Sequence, residues 1–545
     1  MFRKLFGWYR STLGSAAIGA VLLWAALPPL GLWPLAWIAP AWWVWLARRK
    51  ELGRRHPYRA VWLAGFLFWL AALHWLRLSH WTAIFGWLAL SFYLAFYLPV
   101  FVALARVAVH QFRVPVILAA PVVWTGLELA RGHLLSGITM ASLGHTQYRW
   151  IALIQLSDLA GAYGVSFVVM LVAACLARVE PCEGKPRAFW PLLPAAAVVG
   201  AALLYGQLRT APQQSAPAAR IAIIQGSIDT EIKSDPNMRA EVYRHYFGLT
   251  REALAKYRDV DLVVWPETMF REPLITSEPG ATKPAEYGSS EAEFQKLLAA
   301  DSAESRRLLA MAAESIGVPL ILGIDRYHFG PSGMQCFNSA VYVARNGDLL
   351  GCYDKMHPVP FGEYMPFAES FPWLQRLLPV SMSLIAGTAP AAFSVRGIRV
   401  APNICYETVI PHLICRQVNT LRAKGSEPDV LVNLTNDGWF WGSSEMDMHL
   451  ACGVFRAVEC RKPLLIAANT GFSAWIDADG RIVQQGPRRA PATILAEPQV
   501  VRRTSWYLNH GDWAAGICLG TCVLLAGGGI WSWMAGRRKP FLHNG

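Results

Sequence analysis

Three short apolar runs of this sequence each end in a side chain that can take part in catalysis. The run "DLVVWPE" ends in Glu267, "GDLLGCYDK" ends in Lys355 and "RVAPNIC" ends in Cys405. A carboxylate, an amine and a thiol can together carry out acyl transfer. The carboxylate would take the thiol proton as general base, and the thiolate would be the nucleophile. The lysine ammonium would stabilise the thiolate and the oxyanion, with the backbone N–H of Tyr406 as a second oxyanion donor.

Each of these residues also has a structural interpretation when it is taken alone. A cysteine at the end of a strand is commonly buried filler, a lysine is commonly a solvated surface residue, and Glu267 after Trp-Pro could neighbour a helix N-cap. The ordered set favours catalysis, because sites in α/β proteins are built at strand ends. No Gly-rich phosphate loop is present, and His357 and His449 do not form a zinc signature. We therefore expect neither a cofactor nor a metal.

The elements that must position these residues lie after a Pro/Ala/Gln-rich linker at 209–218. Helical patterns at 236–257, 291–316 and 446–461 alternate with β-rich runs, and 276–290 resembles a loop insertion. The β-rich runs are "RIAIIQG", "DLVVWPE", "PLILGIDR", "NSAVYVARNGDLLGCYDK", "IRVAPNICYE", "DVLVNLTND" and "PLLIAANTGFSAWIDADGRIV". This alternation predicts an α/β domain with a largely buried sheet.

The composition indicates that the rest of the chain is not soluble. Hydrophobic residues make up 54% of the sequence, charged residues only 16%, and there are 24 tryptophans. A fully soluble chain of this composition would expose large apolar patches. A membrane-spanning helix needs roughly 20 mostly apolar residues. Eight segments are candidates, near 11–28, 31–47, 60–78, 84–107, 114–132, 161–178, 189–207 and 512–535.

The basic residues predict the orientation of these spans. With eight spans, nearly all Lys/Arg clusters outside the α/β domain fall on one side, which the positive-inside rule places in the cytoplasm. The net charge of +13 is then largely a topology signal, and nucleic acid is not an expected partner. We expect a seven-helix bundle over 1–208, a periplasmic catalytic domain over 209–511, a C-terminal transmembrane helix over 512–535 and a cytoplasmic tail over 536–545. The protein would be a multi-pass protein of the bacterial inner membrane.

Five motifs of the α/β domain occur together in one known superfamily. They are "VVWPET", "YDKMHPVPFGEYMPF", "NICYE", "NLTNDGWF" and "FRAVECRKPLLIAANTGFSAWIDADG", in this order. The domain resembles the carbon–nitrogen hydrolase (nitrilase) superfamily, and the flanking spans make the whole chain similar to the bacterial apolipoprotein N-acyltransferase family. The resemblance implies a four-layer α–β–β–α sandwich.

The resemblance also implies roles for individual residues. Glu267 would be the general base and later the acid, Lys355 would stabilise the oxyanion, and Cys405 would carry the acyl group as a thioester. Supporting residues implied by the same motifs are Glu363, Tyr406 and Glu407.

The implied reaction is ping-pong. Cys405 would take a fatty acyl chain from a phospholipid, typically phosphatidylethanolamine. The N-terminal amine of a diacylglyceryl-cysteine on an apolipoprotein would then attack the thioester, which gives a triacylated lipoprotein. The family commonly has a tryptophan where this chain has Ser234, and Trp441 stands where a glycine is commoner. This departure concerns the handling of lipid more than the chemistry.

Two other functions remain open at the level of sequence. A membrane-tethered nitrilase-type amidase would use the same three residues with water as the acceptor, but it would not need a seven-helix bundle. A non-enzymatic binding scaffold would not need a thiol, a base and an oxyanion donor. The Phe/Trp/Leu/Met-rich segment 361–387 is either a mobile apolar lid that dips into the bilayer or a helix packed in the core.

Overall fold

A computed structural model describes most of the chain. It covers residues 11–53, 55–180, 187–210, 219–284, 288, 290–368, 370–371, 373 and 383–537, without the side chains of residues 234, 536 and 537. Residues 211–218 of the predicted linker and 538–545 of the predicted tail lie outside this range, as do parts of the segment 361–387. The chain divides into two compact units. One is Met1–Pro212 with Ser505–Gly545, and the other is Gln213–Thr504.

The described part of the chain contains sixteen α-helices. In chain order the α-helices are α1 (Thr12–Ala26), α2 (Ala39–Arg48), α3 (Pro57–Ala72), α4 (Ala83–Leu94), α5 (Tyr97–Arg106), α6 (Val116–His133), α7 (Ile151–Ile154), α8 (Ser157–Val179), α9 (Leu192–Arg209), α10 (Thr230–Ser234), α11 (Arg239–Lys256), α12 (Glu291–Ile316), α13 (Pro411–Ala423), α14 (Glu445–Cys460), α15 (Trp506–His510) and α16 (Trp513–Arg537).

The first unit is helical. Among the described residues, four helical stretches are long and apolar enough to cross a membrane: Ala83–Gln111, Ser157–Val179, Leu192–Arg209 and Trp513–Ala535. The other predicted segments contain shorter or interrupted helices. The segment 31–47, for example, divides into the 3₁₀ turn Trp33–Trp37 and α2, which has Pro40 in its first turn. Proline removes a helical hydrogen bond and is tolerated best in a first turn, so this segment cannot form one continuous helix. The number of eight spans stays a prediction.

The second unit contains all thirteen strands of the described chain. They are β1 (Ile221–Gln225), β2 (Leu262–Val264), β3 (Phe270–Ser277), β4 (Leu320–Gly330), β5 (Gly333–Val343), β6 (Leu349–Asp354), β7 (Phe393–Val395), β8 (Ile398–Ile404), β9 (Val430–Thr435), β10 (Leu464–Ala468), β11 (Ala474–Ile476), β12 (Ile482–Gln485) and β13 (Ala492–Ala496). Thr276 and Ser277 end β3, so the expectation of a loop from residue 276 is wrong for these two residues.

The strands form two mixed sheets. The first sheet has the order β13-β1-β2-β4-β5-β6, with β3 also paired to β4, and the second has the order β12-β11-β10-β9-β8-β7. Strands β1, β2 and β4 are parallel in the first sheet, and β8, β9 and β10 are parallel in the second. The edges of both sheets are antiparallel. Each sheet therefore has a parallel centre whose strand ends can carry a site.

Alternation along β1 shows how the layers stack. Ile221 and Ile223 belong to a buried cluster that includes Val400 and Val432 of the second sheet. Ala222 belongs to a different cluster, together with side chains of α11 and α12. Successive side chains of a strand point to opposite faces, so the first sheet packs on the second sheet with one face and on helices with the other. Helix α14 packs on β10 of the second sheet. The unit is the α–β–β–α sandwich that the resemblance implies.

Candidate active site

The three predicted catalytic residues follow strands of both sheets. Glu267 lies three residues after β2, and Lys355 comes directly after β6. Cys405 comes directly after β8 and opens the 3₁₀ turn Cys405–Val409. The candidate site is therefore built where strands of the two packed sheets end.

Lys355 lies between two carboxylates. Its Nζ is 2.7 Å from Oε1 of Glu363 and 3.6 Å from Oε1 of Glu267. The lysine side chain is only 1% exposed, and burial alone would lower its pKa. The negative charges of Glu363 and Glu267 outweigh burial and raise the pKa of Lys355 above its usual value. Lys355 is therefore an ammonium ion, held in place by the two carboxylates.

The carboxylate of Glu267 is oriented by two asparagines. Its Oε1 accepts a hydrogen bond of 2.7 Å from Nδ2 of Asn338, and its Oε2 accepts one of 3.0 Å from the backbone N–H of Asn436. Neither asparagine was predicted from the sequence. Asn436 directly follows β9, so its position at a strand end, like that of Glu267, was a signal for it. Asn338 lies within β5 and carried no comparable signal.

Cys405 occupies a strained position in the backbone. Its φ is +51°, which places a non-glycine residue in the left-handed region, at a cost of about 1–3 kcal/mol. Burial raises the pKa of the Cys405 thiol well above its usual value, and Glu267 adds to this shift, while Lys355 opposes it. The resting nucleophile is therefore a thiol that must lose its proton to react.

Glu407 holds the turn of Cys405 against the loop after Lys355. Its carboxylate is fully buried and accepts hydrogen bonds from four donors. These are the Tyr353 hydroxyl and the backbone N–H groups of Met356, His357 and Ile404, at 2.6–3.0 Å. Glu407 supports the site by fixing the backbone on both sides of it.

The remaining residues singled out in the sequence lie around this centre. The ring of Tyr406 stacks on His357 with centroids 6.2 Å apart. Trp441 has a φ of +52° and is 44% exposed, and the guanidinium of Arg489 lies 5.5 Å from its ring centre. The side chain of Ser234 lies outside the described residues. The structure therefore gives no evidence that Trp441 replaces a tryptophan at position 234.

A second group of titratable side chains lies beside the backbone of Cys405. Asp437, Glu445 and His449 are buried, and one ligand atom from each lies within 4.8 Å of the others. His449 Nδ1 is 3.2 Å from Asp437 Oδ1, and His449 Nε2 is 3.2 Å from the backbone oxygen of Cys405. These contacts join the histidine to the nucleophile. The expectation of no metal stays a prediction.

Comparison with known proteins agrees with this architecture. Residues 19–175 match the family model described as the apolipoprotein N-acyltransferase N-terminal domain. Residues 220–507 match the model described as carbon-nitrogen hydrolase. An apolipoprotein N-acyltransferase of Rhodopirellula baltica is 32% identical over 95% of this chain and 97% of its own length.

The chain belongs to the apolipoprotein N-acyltransferase family.

Further family members match over a similar length. The apolipoprotein N-acyltransferase of Geobacter metallireducens is 32% identical over 97% of this chain, and that of Bradyrhizobium diazoefficiens is 29% identical over 96%. The relatives span the helical unit and the sandwich together. Family membership confirms that the chain is an acyltransferase with a nitrilase-like domain, as the motifs predicted. The individual roles of its site residues stay predictions.

Proposed function

We propose that this acyltransferase moves a fatty acyl chain from a phospholipid, typically phosphatidylethanolamine, to the N-terminal amine of a diacylglyceryl-cysteine on an apolipoprotein. The observation that carries the proposal is the position of the Lys355 ammonium. Its Nζ lies 3.6 Å from Oε1 of Glu267, and the charges of this pair shift the pKa of the partly buried Cys405 thiol in opposite directions. These contacts support a common site in which Glu267 is the base, Lys355 the oxyanion stabiliser and Cys405 the nucleophile.

In the first step, Glu267 takes the proton of the Cys405 thiol. The thiolate attacks the ester carbonyl of the phospholipid, and the oxygen of the tetrahedral intermediate becomes negative. Lys355 and the backbone N–H of Tyr406 stabilise this oxyanion. The C–O bond to the glycerol then breaks, and the leaving alkoxide receives the proton from Glu267. The products are the Cys405 thioester and a lysophospholipid.

In the second step, the lipoprotein amine attacks the thioester carbonyl. Glu267 accepts the amine proton and returns it to the departing Cys405 thiolate, so the enzyme regains its starting state. The same oxyanion donors serve both steps. No residue or group beyond this chain and its two substrates is required for the balance of atoms and protons.

We further propose the topology that this chemistry requires. A phospholipid donor is insoluble in water, so the enzyme must act at a bilayer. The four long apolar helices support membrane insertion. In the proposed arrangement, eight spans hold the protein in the inner membrane with both termini in the cytoplasm. Residues 209–511 lie in the periplasm, after the bundle of 1–208 and before the span 512–535 and the tail 536–545.

The test is intact-mass spectrometry of the purified full chain after incubation with phosphatidylethanolamine. We expect a fatty-acyl mass increment that hydroxylamine removes. It should be absent in Cys405→Ala and present in Cys415→Ala, a matched variant at a buried cysteine of α13. No increment in folded wild-type protein would contradict the proposal. Adding a diacylglyceryl peptide should discharge the thioester onto the peptide, whereas discharge to free fatty acid at the same rate would indicate a hydrolase.

A further inference from the structure

Both ring nitrogens of His449 face hydrogen-bond acceptors. Nε2 faces the backbone carbonyl oxygen of Cys405, which can only accept. Nδ1 faces Oδ1 of Asp437, which also accepts a hydrogen bond of 2.7 Å from the Thr435 hydroxyl. A neutral imidazole has only one N–H, so satisfying both contacts requires a proton on each nitrogen. The geometry makes His449 an imidazolium ion, and its side chain is only 4% exposed.

The charges around His449 favour the same state. Burial alone would lower the pKa of His449, but Asp437, on the turn after β9, and the Cys405 carbonyl act together to raise it. Glu267 contributes in the same direction. Glu445 lies one helical turn earlier on α14, with its Oε1 4.0 Å from Nδ1. Burial and the charge of Asp437 raise the pKa of Glu445 well above its usual value.

The hydrogen bond from His449 fixes one peptide plane of the active site. The carbonyl oxygen of Cys405 also accepts a hydrogen bond of 3.0 Å from Nδ2 of Asn433, so two donors define its direction. In a trans peptide the C=O and the following N–H point in opposite directions. Because the Cys405 carbonyl points toward the buried His449, the N–H of Tyr406 points away from it. This N–H is the oxyanion donor in the proposed reaction.

We propose that His449 is a positioning residue for the oxyanion, because its imidazolium holds and polarises the Cys405–Tyr406 peptide so that the Tyr406 N–H donates to the tetrahedral intermediate. The inference rests on the proposed function, since an oxyanion forms only if Cys405 attacks an acyl carbonyl. A hydrogen bond from a charged donor is shorter and stronger than one from a neutral donor. Polarisation along the peptide therefore makes its N–H a better donor.

The test compares two reactions of the same thiol in the full-length protein. Thioester formation with phosphatidylethanolamine passes through an oxyanion, whereas alkylation by iodoacetamide does not. In His449→Gln we expect thioester formation to slow by about 10–100-fold, since removing one oxyanion donor costs about 10²–10³-fold. Alkylation of Cys405 should stay within about twofold of wild type, because it depends on the thiolate alone. His328→Gln, a partly buried histidine of β4, is the matched control.

Three results would overturn the inference. If both reactions of His449→Gln slow by the same factor, the histidine only maintains the position of the thiol. If neither slows, it has no role. If elemental analysis finds a stoichiometric metal ion in wild type that His449→Gln loses, Nδ1 is a ligand and not a donor. Should His449→Gln fail to fold, Asp437→Asn tests the same point. The charge of Asp437 raises the pKa of Cys405, so its removal should leave alkylation equal or faster, whereas thioester formation should again be slower.

The two proposals fail in different ways. Wild-type protein that forms no thioester at all contradicts the proposed function. Wild-type protein that forms the thioester, beside a folded His449→Gln that forms it equally fast, contradicts only the role of the histidine.

Discussion

The turn that carries Cys405 and the segment that follows Lys355 differ in how their side chains are held. In the turn, Glu407 accepts hydrogen bonds from four donors and the Cys405 carbonyl accepts from two. In the segment, Phe367 is 71% exposed and Trp373 is 57% exposed. The turn that carries the nucleophile is fixed, whereas large apolar side chains 12 and 18 residues after Lys355 are more than half exposed in the part of the chain that the structure describes.

This difference corresponds to two separate requirements of lipid chemistry. A nucleophile must stay within a few tenths of an ångström of its productive position. A long acyl chain needs apolar surface beside the site, and exposed apolar patches commonly mark such binding surfaces. At the described positions of 361–387, the exposed side chains argue against the interpretation as a helix packed in the core. A helix packed in the core would have buried Phe361, Phe367 and Phe371, all of which are more than half exposed.

The largest effect expected concerns the protonation of the fixed thiol. Because burial and Glu267 raise the pKa of Cys405 well above that of an ordinary thiol, the thiolate fraction should keep increasing above pH 8.5, where that of an ordinary thiol begins to level off. Iodoacetamide alkylation of Cys405, measured by mass difference from Cys405→Ala, should therefore rise by more than about tenfold from pH 7 and still be rising at about pH 9. An alkylation rate that levels off below pH 8.5 would mean that the pKa of the Cys405 thiol is not raised.

The same shift has a consequence for stability. The unfolded thiol loses its proton near pH 8.5, whereas the folded thiol keeps it. The folded state then binds more protons than the unfolded state, so the contribution of Cys405 to the free energy of unfolding falls as the pH rises above about 8.5. Cys405→Ala should remove this part of the alkaline destabilisation.

Glu407→Gln should remove hydrogen bonds that fix the turn of Cys405, so that the turn becomes mobile. An amide NH₂ would face some of the four donors that the carboxylate now satisfies. We expect a loss of about 2–4 kcal/mol in the free energy of unfolding, since each buried donor left unsatisfied costs about 1–3 kcal/mol. Thioester formation should fall by about 100-fold or more through misplacement of the thiol. Denaturant unfolding and intact mass are the measurements, with Glu252→Gln on the exposed face of α11 as control.

Glu363→Gln tests the junction between the two regions. Glu363 holds Lys355 through Oε1, and its Oε2 accepts the backbone N–H of Val359 at 2.8 Å. Glutamine keeps only one acceptor oxygen, so one of the two contacts is lost. We expect thioester formation to fall by about 10-fold with the fold intact, as for loss of a positioning contact. A wild-type rate would show that Glu267 alone is sufficient to place the ammonium.

The smallest effect is expected from a change in the exposed segment that follows Lys355. Phe367→Ser removes apolar surface from the segment without touching the turn. Thioester formation from long-chain phosphatidylethanolamine should fall by about threefold, in line with loss of roughly 25 cal/mol per Å² of apolar contact. Alkylation of Cys405 should be unchanged. Leu350→Ser, at an apolar residue of β6 that is also more than half exposed, is the control. An equal loss in Leu350→Ser would mean that the segment after Lys355 has no special role.

Local sequence signals predicted the fold where the elements are locally defined. Helix α12 has the predicted bounds, because Ser290 caps its first turn and Gly317, at a φ of +75°, ends it. Strand β13 was missed, since the short run "ATILA" owes its structure to pairing with β1 at the other end of the domain. Helix α13 was missed as well, because its amphipathic pattern follows the cysteine motif without an intervening linker.

The candidate site was predictable to the extent that it depends on strand ends. Glu267 and Lys355 are far apart in sequence, but Oε1 of Glu267 lies 3.6 Å from Nζ of Lys355. The ordered motifs had indicated that these two residues share a site. Asn338 and His449 could not be found in this way. Asn338 contacts Glu267, and His449 contacts the Cys405 carbonyl. These contacts join different elements of the domain, so they depend on tertiary packing and not on spacing along the chain.

The pairing of β1 with β13 has a consequence for how the enzyme is made. Ile221 pairs with Ala496, so the first sheet keeps an open edge until the last strand of the domain has left the ribosome. At about 5–20 residues per second, the roughly 275 intervening residues take tens of seconds to synthesise. During that interval the edge of β1 can pair with other chains. A nascent chain of this enzyme is therefore expected to depend on chaperones until β13 is in place, and a protein truncated before residue 492 should aggregate.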